Sequence, residues 1–186
     1  MSKKTGIPGY GPECRNKFVA GVCGLPAIKC GQCTNQAFVP VDDAVIRAHL
    51  EGKHVMGVYP LLKDETCWFL AVDFDGKDGR SWTEDVVAFT KTCRRGGVPA
   101  AVERSRSGEG AHVWFFFTSP VKASSARKMG CFLLTDTMHR RHELRMESYD
   151  RLFPSQDTMP KGGFGNLIAL PLQYGPRQSG NSVFVD

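Results

Sequence analysis

Asp73 and Asp75 stand two residues apart at the end of an apolar run, Trp68-Phe69-Leu70-Ala71-Val72. In an extended strand, side chains two apart share a face, so both carboxylates project together and Phe74 points the other way. Two adjacent carboxylates repel unless something positive lies between them. A hard divalent cation resolves this through oxygen ligands and keeps open positions for water or phosphate oxygens. An acidic pair before a turn is also a common surface feature, and the D-x-D pattern alone is weak. Its place at the rim of a core strand is what favours a metal site.

A second stretch, Glu103-Arg104-Ser105-Arg106-Ser107-Gly108-Glu109-Gly110-Ala111-His112, suits an anion. Gly108 and Gly110 allow close backbone approach and can open main-chain N–H groups, and Ser107 adds a hydroxyl donor. Arg104 and Arg106 supply charge. His112 can donate to a phosphate oxygen near a metal, or make an ordinary hydrogen bond. A third stretch offers Glu147, Asp150 and Asp157 as a further carboxylate, with Lys161 beyond. Two-metal phosphoryl transfer needs about this many acids, with metals about 3.5–4 Å apart. Lys161 could reach a triphosphate. Ordinary surface charges are the competing reading for this stretch.

Four of the seven cysteines crowd the N-terminal part: Cys14, Cys23, Cys30 and Cys33. Cys30-Gly31-Gln32-Cys33 is a C-x-x-C pair that can hold one zinc ion, and Cys14 and Cys23 complete a tetrahedral set. Zn²⁺ binding would supply folding energy that so short a loop-rich segment lacks. A reduced arm with stray thiols, or a redox pair, are the alternatives. An odd cysteine count excludes a fully paired disulfide framework within one chain. Cys67, Cys93 and Cys131 sit in apolar surroundings and read as core residues.

These groups need a scaffold. Asp42 reads as the N-cap of a helix to about Glu51, stopped by Gly52. Residues 67–75 read as a buried strand. Ser81-Trp82-Thr83-Glu84 is a capping box opening a helix to about Arg94. Val98–Arg104 and Ala111–Thr118 read as a hairpin ended by Ser119-Pro120. His112 then shares a face with Trp114 and Phe116. A basic helix from about Ser124 to His142 follows, and its charged face suits a template backbone. Its His139 and His142 are three apart but have no further ligand in view. After the Gly-rich loop at 161–165, Asn166–Leu170 reads as the last strand. The order strand, helix, strand, strand, helix, strand predicts an α+β fold. Two helices cover one face of its sheet, and the other face is left for a ligand.

The 186 residues carry 24 Lys+Arg against 19 Asp+Glu, a net charge of +5, with 41% hydrophobic and 23% charged residues. That is globular, not disordered. No run approaches the roughly 18 apolar residues of a membrane span. The basic start, Met1-Ser2-Lys3-Lys4-Thr5-Gly6, has no apolar leader. The expectation is a cytoplasmic protein with reduced thiols and no membrane partner.

Taken in order, these motifs resemble the archaeo-eukaryotic primase (primase-polymerase) superfamily, in particular the primase domain of TOTE conflict systems. The resemblance spans about residues 13–180. It rests on Tyr59-Pro60-Leu61-Leu62, Leu70-Ala71-Val72-Asp73-Phe74-Asp75, Ser107 to His112-Val113-Trp114, and Phe153-Pro154-Ser155-Gln156-Asp157 through Gly163 to Gln173. It implies an RRM-like catalytic core using Mg²⁺ or Mn²⁺. The implied reaction is nucleotidyl transfer from an NTP or dNTP to a 3′-hydroxyl on a DNA primer and template. Asp73, Asp75 and Asp150 match the metal acids, with Glu147 as the alternative to Asp150. Ser107 and His112 match nucleotide contacts, with Arg104, Arg106, Gly108, Gly110 and Lys161 around them.

The expected organisation is a flexible 1–12, a zinc segment at 13–40 and a catalytic domain at 41–186. The chain reads as a piece of a larger protein with helicase and nuclease modules. A non-catalytic nucleic-acid-binding module stacking bases on Trp114 and Phe116, or a metal-dependent nuclease, are the rival readings.

Overall fold

The computed structural model describes residues 11–76, 82–140 and 147–186. Most of the expected N-terminal arm, the capping residue Ser81 and His142 lie outside these. The main sheet has five strands: β2 (Thr66–Asp75), β3 (Ala101–Arg104), β4 (Gly110–Lys122), β5 (Tyr149–Phe153) and β7 (Val183–Val185). Their order is β5-β2-β4-β3-β7, antiparallel throughout. Two helices, α2 (Trp82–Arg95) and α3 (Ala123–Arg140), pack on one face. Period-two alternation sends Leu70, Val72 and Phe74 of β2, and Val113 and Phe115 of β4, into that helix-side core. Phe89 of α2 meets Phe74 and Phe115 with ring centroids 5.5 and 6.1 Å away. Burial of each such ring stabilises the fold by about 1.5–3 kcal/mol.

The opposite face is partly covered, where the sequence suggested an open one. A two-stranded sheet, β1 (Gly57–Val58) with β6 (Ile168–Ala169), seals Ala71, Trp114 and Phe153 into a second small core. The expected last strand is thus β6 of this small sheet. Its place in the main sheet is taken by β5, whose charged Asp150-Arg151 pair masks its strand character. β4 runs past Ser119-Pro120 to Lys122. It does so because register is lost between Phe69↔Phe116 and Cys67↔Val121, which leaves Pro120 outside the ladder.

A helix α1 (Asp43–Leu50) is capped as expected, with the Asp42 side chain accepting the Val45 N–H at 2.9 Å. Its buried His49 accepts the Met56 N–H at Nδ1 and donates from Nε2 to the Pro171 carbonyl, tying α1 to the exit of β6. A short α4 (Tyr174–Arg177) leads to β7. Cys67 and Cys93 are core residues. Cys131 is exposed, because it follows the buried Gly130 on the outer side of α3.

Candidate functional site

Asp73 and Asp75 leave β2 on the face away from α2 and α3, as alternation requires. Asp150 reaches them by a different route. In the β2–β5 ladder Asp73 pairs with Arg151 and Phe74 with Tyr149, so Asp150 is an extra residue in a β-bulge. Tyr149 and Leu152, three apart, both turn to the helix-side core. The inserted residue lets Asp150 and Arg151 both project to the acidic face, which is how bulges re-aim side chains at sites. The start of β5 is held by Asp85 of α2, whose carboxylate accepts the Ser148 hydroxyl at 2.5 Å and its N–H at 3.3 Å.

Ligand oxygens of Asp73, Asp75 and Asp150 lie within 4.8 Å of one another. Asp73 is buried, and the other two are half-buried. Among the described residues this is the one group of three possible metal ligands so close together. Glu147 is exposed outside it, and Asp157 pairs with Arg127 of α3. Among the described residues, Arg151 and His112 border the triad. Arg151 Nε meets Asp150 Oδ2 at 2.5 Å. This bond, with the charges of Asp150, Asp73 and Asp75, holds the guanidinium above its ordinary value against some desolvation. His112 sits opposite Asp73 on β4, with Nε2 3.4 Å from Asp73 Oδ1 and Nδ1 2.9 Å from Glu103 Oε2. Burial works against its protonation, but the hydrogen bonds and charges of Asp73 and Glu103 outweigh it and raise the imidazole to about 9.

The Ser105–Gly110 turn is tightly braced. Ser107 Oγ lies 3.1 Å from Ser105 Oγ and accepts the Glu109 N–H at 3.2 Å. Gly108, at φ +81°, gives its N–H to the Ser105 carbonyl, so that amide is spent inside the turn. Gly110 is required by the sheet: a Cβ there would collide with the Phe74 carbonyl. Both glycines therefore shape the hairpin, and the Gly108 amide, which the sequence suggested as anion-facing, is held inside it. Arg104 and Arg106 are exposed beside this turn, and Arg104 Nε bonds the Gly108 carbonyl at 3.4 Å.

The model of the family described as TOTE conflict system, Archaeo-Eukaryotic Primase domain, matches residues 1–186. The chain belongs to this family. No curated protein matches it. Membership in this primase family carries nucleotidyl transfer at the family level, with nucleotide and nucleic-acid substrates and divalent metals. The triad fits such an ion: three hard carboxylate donors converge within 4.8 Å of one another. None of the described helices is long and apolar enough to cross a membrane.

Other expected residues of this primase domain fall elsewhere. Lys161 follows β5 into a turn where Gly162 packs on Gln32 of the cysteine segment. The basic surfaces of α2 and α3 lie behind the sheet, on the opposite face from the triad. Trp114 is buried, so of these two rings Phe116, stacked on it at 5.9 Å, is the exposed one. The four thiols of Cys14, Cys23, Cys30 and Cys33 line one small cavity. Backbone N–H groups of Ala37 and Asn35 approach Cys14 and Cys33 sulfurs at 3.4 Å each, as thiolate ligands favour. No three of these sulfurs come within the triad's 4.8 Å spacing, so the cavity is looser than a closed tetrahedral site.

Sequence reasoning passed over Arg151, Asp85 and Glu103. An arginine beside a candidate acid was a usable signal for Arg151. The other two matter only through contacts 63 and 9 residues away.

Proposed function

We propose that this chain is the catalytic domain of a primase-polymerase, adding nucleotides from NTP or dNTP to a 3′-hydroxyl on a nucleic-acid template. The observation that carries this is the meeting of Asp73, Asp75 and Asp150 beside His112 and the Ser107 turn. The element order β2-α2-β3-β4-α3-β5, with the first and third strands central, supports an RRM-like core within residues 41–186.

Asp73, Asp75 and Asp150 would hold Mg²⁺ or Mn²⁺. When bound, these ions supply charge stabilisation for in-line attack of the 3′-oxygen on the α-phosphate. The chain's own groups do the rest. Ser107, His112, Arg104 and Arg106 present donors and positive charge to the triphosphate. Arg151 keeps the acids from repelling one another before substrate arrives. The cysteine segment at 13–40 is a zinc-binding brace, supported by the shared cavity and the N–H···S contacts. Helicase and nuclease modules are its expected partners, and the cytoplasm its expected place.

Two rivals are less well supported. A base-stacking module would need Trp114 exposed, and it is not. A nuclease would share the acids. Incubation with a primed template, Mn²⁺ or Mg²⁺ and labelled NTPs or dNTPs separates them. Extension that disappears in Asp73→Ala/Asp75→Ala is expected. Shortening of the primer without nucleotide would indicate the nuclease, and equal incorporation by both proteins would remove the site.

A further inference from the structure

Glu103 is the most deeply buried carboxylate among the described residues, at 2% exposure. Such burial is costly for a charge unless it is fully engaged. Glu103 is opposite His112 in the β3–β4 register, and one of its oxygens, Oε2, serves two donors. Trp114 Nε1–H reaches it at 2.9 Å and His112 Nδ1 at 2.9 Å. An ionised carboxylate only accepts hydrogen bonds. Nδ1 of the His112 ring therefore carries a proton, on the side away from the acids. That leaves Nε2 as the atom facing Asp73, at 3.4 Å. Trp114 in turn is locked between Phe69 and Phe116, with centroids 5.2 and 5.9 Å away, so the carboxylate has little room to swing.

We infer that Glu103 is a positioning residue: it fixes the ring of His112 so that Nε2 faces Asp73 and the phosphate that the acids recruit. This rests on the nucleotidyl-transfer reading above. Because both donors share one oxygen, a glutamine carbonyl in the same place keeps both bonds. Aspartate keeps the charge but is one methylene too short, and alanine removes both. Loss of such a partner costs about 10- to 100-fold in comparable sites.

The test uses the full chain and five substitutions. In primer extension, kcat/KM for nucleotide should fall about 10- to 100-fold in Glu103→Asp and Glu103→Ala, and stay within about fivefold in Glu103→Gln. On a His112→Ala background, Glu103→Asp should cost nothing more, since its effect passes through the imidazole. In ¹⁵N-histidine spectra, a slowly exchanging Nδ1–H should be present in wild type and Glu103→Gln and lost in Glu103→Asp. His112→Gln assigns that signal.

The inference is overturned if Glu103→Asp and His112→Ala multiply, if Gln is as damaging as Asp, or if wild-type His112 carries no Nδ1–H. Should alanine fail to fold, the Gln and Asp pair still decides. If wild type transfers no nucleotide at all, the enzymatic reading fails, while the spectra independently decide whether Glu103 holds the ring.

Discussion

Replacing Asp75 by Asn should stabilise the metal-free protein and abolish its stabilisation by Mg²⁺. Carboxylate oxygens of the triad lie within 4.8 Å, where two unit charges repel by 332/(20 × 4.8), about 3.5 kcal/mol at an effective dielectric of 20. Asp75 faces two such partners. Arg151 and the other contacts of Asp75 offset most of that repulsion, and half-exposure screens more, leaving about 1 kcal/mol to relieve. For a chain of 186 residues this raises the metal-free melting temperature by about 2–4 °C. Mg²⁺ at a hundred times its dissociation constant stabilises the folded state by about 2.7 kcal/mol. Wild type should then gain about 5–10 °C, and Asp75→Asn less than about 2 °C at the same Mg²⁺. Scanning calorimetry against MgCl₂, with ionic strength held constant, reads both quantities. An equal Mg²⁺ shift in the two proteins, or a lower metal-free melting temperature in the variant, would refute the reasoning.

Elemental analysis should find one zinc per chain, and Cys30→Ser/Cys33→Ser should lose both the metal and several degrees of melting temperature; a metal-free wild type would dismiss the brace. Burial pushes the thiols of Cys67 and Cys93 up to about 11 and about 12, so both remain protonated at pH 8. Mass spectrometry after brief alkylation at that pH should show Cys131 modified and those two protected, and the reverse order would contradict the packing. Gly110→Ala forces a methyl against the Phe74 carbonyl and should cost about 1–3 kcal/mol in urea unfolding. Asp42→Ala removes the α1 cap and should cost about 1 kcal/mol by the same measurement.

Local periodicity made part of the site readable. Asp73 and Asp75 share a face because alternation within one strand is a short-range rule, and the helix caps and hairpin follow equally local chemistry. Asp150 was a candidate among three acids, and nothing in its own segment distinguishes it. Its position depends on a bulge that exists only once β5 pairs with β2. The apolar Asn166–Leu170 looked more like a sheet strand than Tyr149–Phe153 did, since two charges interrupt the latter. Those charges are what the bulge turns onto the acidic face. Glu103 looked like an ordinary strand charge until register set it across from His112. Lys161 is grouped with the phosphate ligands by sequence order, and its neighbour Gly162 packs on Gln32 of the cysteine segment.

The extra residue at Asp150 makes this chemistry sensitive to counting as well as to composition. Deleting one residue between Tyr149 and Leu152 would let the two strands zip without interruption, and β5 would then send one polar side chain, not two, to the acidic face. If Arg151 were the one retained, a cation would stand where the third carboxylate belongs, in a sheet otherwise unchanged. A relative of this chain could therefore keep every helix and strand, keep both aspartates of β2, and still lose the three-carboxylate cluster through a single missing codon.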